Sequence, residues 1–330
     1  MSPIFTNFAA FSVQRYDMTE NQEPEAFEEI PKPRIWYLLQ FISLLLIALV
    51  GGGLFGMLAI QTCPFLFGID GYDALSATAD MTQRSTLYAV RYIQVLSTLG
   101  TFVFSALAQL VFMREPIVDG LGVRQKITPV MAALSVVLVV CMQPAISFIA
   151  NWSLGWEFPA SMAETEEQLR KLHDTAVNTQ FAFLKNQTAL DFVFNLFMMA
   201  LLPAFAEELF FRRVGLRLLY DTTGNVHVSI AISAFLFALV HGQFFYLIPL
   251  FLFGMVLGYL AYWSRSLWLP VVAHFVNNAF TLALTYFAGD AREVPSAQDP
   301  DFGNPLLSFG FSILLSGAIL LLLKRRQETE

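Results

Sequence analysis

The sequence predicts an all-α fold, a polytopic membrane bundle of about eight transmembrane helices with both termini on the cytoplasmic side. Three observations lead there. Of the 330 residues, 56% are hydrophobic and only 14% are charged, with a mean hydropathy of +0.58, whereas a soluble chain carries about a quarter charged residues. Apolar runs recur along the chain, each close to the roughly 20 residues needed to cross about 30 Å of hydrocarbon. Lys and Arg gather in alternate connecting segments, as they do when positive residues are retained in the cytoplasm.

Residues 1–34 read as a flexible cytoplasmic tail, with Phe5, Phe8 and Phe11, the acidic Glu20, Glu23, Glu25, Glu28 and Glu29, and the basic flank Lys32-Pro33-Arg34. No short apolar region with a cleavage site opens the chain, so no signal peptide is expected. Runs at 35–61, 87–113 and 129–150 give an N-terminal unit of three helices over 35–150. Residues 151–187 form an extracytoplasmic loop or amphipathic segment, with Glu157, Glu164, Glu166 and Glu167 in a helix-compatible stretch. A surface-lying helix is the plain reading and a substrate-gating lid the functional alternative. Runs at 188–211, 227–244, 246–263 and 267–288 make a core over 188–288, and 289–330 holds an acidic outer loop, a last helix at 305–323 and a short basic tail.

Orientation follows from the charges. With the N-terminus inside, the inner segments hold Arg114, Arg124, Lys126, Arg212, Arg213, Arg217, Arg265, Lys324, Arg325 and Arg326, and the outer side only Arg84, Arg91, Arg170, Lys171, Lys185 and Arg292. The net charge of −7 argues against a nucleic-acid partner, which requires a basic face. Cys63 and Cys141 have neither paired nor metal-type spacing and read as structural thiols. The chain is expected as a multi-pass protein of a bacterial plasma membrane, with membrane lipid as its first partner.

Charged residues within a span cost about 2.5–3.5 kcal/mol at the helix centre, so each calls for a partner or a function. They concentrate in the second half, in Glu207-Glu208 and Arg212-Arg213, in Phe237 through His241, and in His274 through Asn278. Glu208 and Arg212 are four apart with the acid first, the favourable order for an ion pair. Glu207 points about 100° away and has no partner on its own helix, which makes it the better candidate base. Counted from the turn Asp221-Thr222-Thr223-Gly224-Asn225, Glu207 and His241 lie at matching depth, about 20 Å along their helices. By the same rise Glu207 lies about 8–15 Å below the inner surface, and His274 and Asn278, four apart on one face, reach a similar level. Asp191 reads as a solvated helix-end residue, and Arg213 as an interface marker or a member of the cluster.

EExxxR at 207–212, FxxxH at 237–241 and HxxxN at 274–278, in this order on successive apolar segments, resemble the CAAX prenyl protease and bacteriocin-processing family of intramembrane peptidases. The likeness covers about 188–288, every signature position is filled, and the first three spans carry no corresponding motif. It implies an eight-helix membrane fold with a catalytic cavity opening toward the cytosol.

Peptide hydrolysis needs an activated water, a proton carrier and donors for the oxyanion. Glu207 would be the general base, His241 would share the water and move the proton, and His274 with Asn278 would donate to the tetrahedral oxygen. Glu208, Arg212 and Phe237 would support them. No cofactor is required in this scheme. The alternative is zinc held by His241, His274 and Glu207, although HExxH is missing and Asn278 suits an oxyanion better than a metal. The substrate would be a membrane-proximal peptide or protein that could carry a lipid. Three rivals remain in view: a polar cluster that only joins helices, a proton-coupled transporter, and a noncatalytic immunity or partner protein.

Overall fold

A computed structural model describes residues 32–76, 79–184, 188–287 and 304–329. Most of the N-terminal tail, Lys185, and the 289–304 loop with Asp290 and Arg292, apart from Asn304 at its end, lie outside the described residues. All regular structure among the described residues is helical. The longer helices are α1 (Arg34–Phe67), α3 (Arg84–Phe112), α5 (Pro129–Leu154), α6 (Ala163–Leu184), α7 (Ala189–Thr223), α8 (Val226–Val240), α9 (Leu247–Ser264), α10 (Trp268–Phe287) and α11 (Pro305–Thr329), with the single-turn α2 (Gly71–Leu75) and α4 (Ile117–Leu121) between them.

Among the described residues, six helices are long and apolar enough to cross a membrane: α1, α3, α5, α7, α9 with its leading turn from Phe244, and α11 to Arg326. Helix α8 has only 15 residues, and α10 carries His274, Asn277 and Asn278 in its 20. The exposed side chains of α1 and α11 are large and apolar, among them Leu46, Leu49, Leu54, Leu307 and Leu314, as expected of surfaces solvated by lipid rather than water. The protein is an integral membrane protein with an all-helical fold.

Close helix approach is set by small residues. A Cβ on Gly51 would lie 2.5 Å from the Gly100 carbonyl oxygen, and one on Gly100 equally close to that of Gly51, so α1 and α3 touch backbone to backbone. Where Pro144 interrupts the bonding of α5, the Ser312 hydroxyl of α11 donates to the Cys141 carbonyl and accepts from the Ala145 N–H. The proline therefore leaves these groups satisfied within the apolar medium.

The central helix is α7, which touches α1, α3, α8, α9 and α10. It is not a uniform α-helix. Leu196–Leu201 and Leu209–Gly215 are π-helical turns, each holding an extra residue, a feature frequent at functional sites.

Basic connections collect at one end of the bundle. Arg213 donates to the carbonyls of Gly120 and Asp119, both at 2.6 Å, and Arg217 pairs with Glu115 at 2.6 Å. The Trp268 indole reaches the Val123 carbonyl at 2.9 Å, and the Ser266 hydroxyl that of Gln125 at 2.7 Å. The segment after α3 thus ties Arg213 and Arg217 of α7 and the start of α10 to one level.

Several expectations are corrected. Asp191 is not solvated: it is 8% exposed, forms a capping box with Thr188, and pairs at 3.0 Å with Arg91, itself 1% exposed. Arg91 is therefore a buried helix-joining cation, not a loop charge counted toward orientation. Its second terminal nitrogen donates to the Phe183 carbonyl at 3.1 Å, fastening the end of α6. The helix expected over 227–244 stops at Val240, because Gly242 takes a left-handed conformation (φ +65°) that ends it. His241 consequently occupies the C-cap rather than the interior of a span. The acidic stretch of 151–187 does form a helix, α6, in which Phe183 is the buried residue.

Candidate active site

The π turn of α7 starts immediately after the two glutamates, and the helix presents them in different directions as their adjacency requires. Glu208 is completely buried. Its Oε1 accepts from Arg212 Nη1 at 2.7 Å and from His274 Nδ1 at 2.8 Å. Arg212 also donates Nη2 to the Gly254 carbonyl of α9 at 3.3 Å and lies 4.4 Å over the Phe237 ring, a cation–π contact strengthened by desolvation.

Glu207 faces the other two elements. Its Oε2 lies 4.0 Å from His241 Nε2 and 3.9 Å from His274 Nε2. That oxygen is buried without a hydrogen-bond partner among the described residues. Separations near 4 Å are too long for direct hydrogen bonds and suit a bridging water.

The outer nitrogens of both rings are fixed by acceptors. His274 Nδ1 meets the Glu208 carboxylate, and His241 Nδ1 meets the Phe237 carbonyl at 2.7 Å. Neither acceptor can donate, so both Nδ1 atoms carry hydrogen and both Nε2 atoms face Glu207. Phe237 packs against both imidazoles, with ring centroids at 4.7 Å from His241 and 5.7 Å from His274, while Phe253 meets the His274 ring edge-on at 5.8 Å. His274 is 3% exposed, whereas the His241 side chain is 28% exposed. His241 is therefore the imidazole at the open edge of the cluster.

Depth follows from the anchors at the basic end. Six residues separate Glu207 from Arg213, and six separate His274 from Trp268, about 9 Å of helix in each case. Both anchors bind the 119–123 segment, so the two distances start from one level.

Glu207, Glu208, Arg212, Phe237, His241 and His274 thus come together. Asn278 stands one turn beyond His274 on α10, partly buried, and accepts from Asn277 Nδ2 at 3.3 Å; Asn277 in turn receives Gln143 of α5 at 3.1 Å. The Gly254 carbonyl and the Phe253 ring are part of the setting and went unrecognised as such in the sequence. A backbone acceptor leaves no sequence signal, and Phe253 is one of many phenylalanines. Phe245 and Phe253 are buried in helix packing.

A zinc ion needs three donors converging at about 2.0–2.1 Å, which puts tetrahedral ligands about 3.4 Å apart. The Glu207–imidazole separations exceed that, and among the described residues no group of three His, Cys, Asp or Glu is arranged to hold a metal ion.

Residues 189–280 match the family model described as Rce1-like, type II CAAX prenyl endopeptidase Rce1-like, and this segment of the chain is an Rce1-like domain of the CAAX-protease family. It contains the whole of α7, α8 and α9, together with the part of α10 that carries His274 and Asn278. No curated protein and no solved structure matches the chain significantly. The family supports intramembrane protease activity as the general class.

Proposed function

We propose that the protein is an intramembrane endopeptidase of the CAAX-processing type that cleaves a peptide bond near the cytoplasmic membrane face with a water activated by Glu207. The observation that carries this reading is the pair of 3.9–4.0 Å separations from Glu207 Oε2 to His274 and His241 Nε2, within the Rce1-like segment.

Glu207 takes the proton of the attacking water. His241, at the exposed edge, holds the same water through Nε2 and delivers the proton to the leaving amine. His274, held at Nδ1 by the Glu208 carboxylate, turns Nε2 toward the developing oxyanion. Asn278 contributes its amide on the same helix face. Glu208 and Arg212 hold His274, and Phe237 holds both rings and, through its carbonyl, the orientation of His241. The substrate is a membrane-proximal peptide, and a lipidated C-terminal segment fits an active site set about 9 Å inside the basic face.

The test is cleavage of a prenylated C-terminal peptide by purified protein in detergent, with Glu207→Gln as the inactive control. Retained cleavage in that variant would overturn the assignment. Loss of activity on chelation with recovery by zinc would favour metal-dependent hydrolysis, and proton flux in liposomes lost with Glu207→Gln would favour transport.

A further inference from the structure

Gln143 lies near the middle of α5, a helix apolar enough to cross a membrane. A carboxamide in that setting calls for partners, and Gln143 has two. Its Nε2 donates to the Val139 carbonyl, one turn back, at 3.2 Å and to Asn277 Oδ1 of α10 at 3.1 Å. Asn277 Nδ2 in turn donates to Asn278 Oδ1 at 3.3 Å.

The direction of this relay is fixed at its origin. A backbone carbonyl only accepts, so the Gln143 atom beside Val139 is the nitrogen, and its second hydrogen is the one that meets Asn277. Asn277 therefore turns its oxygen to Gln143 and its nitrogen to Asn278. Asn278 in consequence turns its oxygen to Asn277. That is the one hydrogen bond the Asn278 side chain makes among the described residues, and its two Nδ2 hydrogens are left over. They belong to a partly buried residue one turn beyond His274, whose Nε2 faces Glu207 at 3.9 Å.

Polarity matters here because the two ends of a carboxamide act oppositely on a developing oxyanion. The nitrogen stabilises it and the oxygen repels it, and a donor is worth most when it is aimed before the charge appears. We propose that Gln143, acting through Asn277, is a positioning residue that sets the Asn278 amide with its Nδ2 free for the tetrahedral oxygen. Gln143 lies outside the Rce1-like segment 189–280, so a helix of the N-terminal unit completes the site as well as packing against it. This assignment rests on the hydrolytic reading of the site, whereas the direction of the relay does not.

The test uses full-length protein in detergent and cleavage of a prenylated C-terminal peptide, with wild type and Glu207→Gln as references. Gln143→Met keeps the length of the side chain and removes its donor. It is expected to lower kcat at least about tenfold, against about 10²–10³ for Asn278→Ala, with KM changed less than about twofold. Asn277→Ala should reproduce the Gln143→Met effect. In an Asn278→Ala background Gln143→Met should cause no further loss, because its action passes through Asn278. An unchanged kcat in Gln143→Met, or losses that multiply in the double variant, would overturn the proposal while leaving the protease reading in place. A merely structural contact between α5 and α10 would lower Tm and leave kcat of the folded protein as it was. Equal inactivity of wild type and Glu207→Gln would instead overturn the protease reading. The orientation is then read without catalysis, by nuclear magnetic resonance of protein labelled at its asparagine side-chain nitrogens, with the Asn278 signals identified by their loss in Asn278→Ala. Gln143→Met should move those signals, and unmoved signals would overturn the relay.

Discussion

Arg212 and His274 share one acceptor: both donate to Oε1 of Glu208, at 2.7 and 2.8 Å from two different helices. The carboxylate is thereby a structural knot between α7 and α10, and Arg212 extends it to α9 through the Gly254 carbonyl.

Removing one member leaves an uncompensated buried charge. Arg212→Ala should cost about 3–5 kcal/mol of stability, read as a lowered thermal midpoint in detergent. Arg212→Lys should recover little, because an ammonium cannot bond Glu208 and Gly254 while lying flat on Phe237. The double variant Glu208→Leu with Arg212→Met should be closer to wild type than either single change, an outcome that a double-mutant cycle measures directly.

The two glutamates should separate function from folding. Glu207→Gln is expected to lower peptide cleavage by about 10²–10⁴ with an unchanged melting temperature, since its Oε2 makes no hydrogen bond among the described residues. His241→Ala should behave likewise, because the ring is partly exposed. His274→Ala should lose both activity and stability through its bond to Glu208. Equal destabilisation by all three would contradict the division of roles.

The Arg91–Asp191 pair fastens the start of α7 to α3 and, through the Phe183 carbonyl, to α6. Arg91→Met should destabilise the protein by about 3–5 kcal/mol. It should also increase proteolytic cutting within α6 relative to the rest of the chain. Protection of α6 equal to that of the wild type would show that the pair does not hold it.

A pH response is expected at the same helix. His173 stacks on Tyr246 at 5.4 Å, and burial lowers its pKa below the ordinary 6.5, with Asp174 opposing and Arg170 reinforcing the effect. The neutral ring is therefore favoured in the docked state. Docking is complete above about pH 6.5 and weakens as pH falls below it, because the undocked imidazole takes up the proton first. Glu166, held below the usual carboxylate range by the Phe158 N–H and by Arg170, keeps its contacts through that window. Hydrogen exchange across α6 between pH 7.5 and pH 5.5, values chosen about one unit either side of that pKa, should show the loss, and His173→Phe should flatten it.

The positions and lengths of the helices were legible because lipid requires long apolar stretches, and the ion pair of Glu208 with Arg212 because its spacing is a property of one helix. Relationships between helices were harder to read. Asp191 resembled a water-facing end residue because its partner lies 100 positions away, and nothing local in the sequence distinguishes a paired carboxylate from a solvated one. The stop at Val240 depended on the φ of Gly242, in a chain where most glycines serve packing or stay within helices. His274 was recognisable as a site residue, yet its bond to Glu208 required the relative rotation of α7 and α10.

That rotation depends on the π turn at Leu209–Gly215. Converting it to ordinary α-helix with every residue retained would keep the backbone bonded but turn all that follows by about 100° relative to Glu207. Arg213 and Arg217 would swing away from the 115–120 segment, with every catalytic side chain still present in the chain. Helix α7 therefore has something like a reading frame: the turn absorbs one residue, and losing the turn while keeping that residue shifts the register of the hydrolytic half against the basic half.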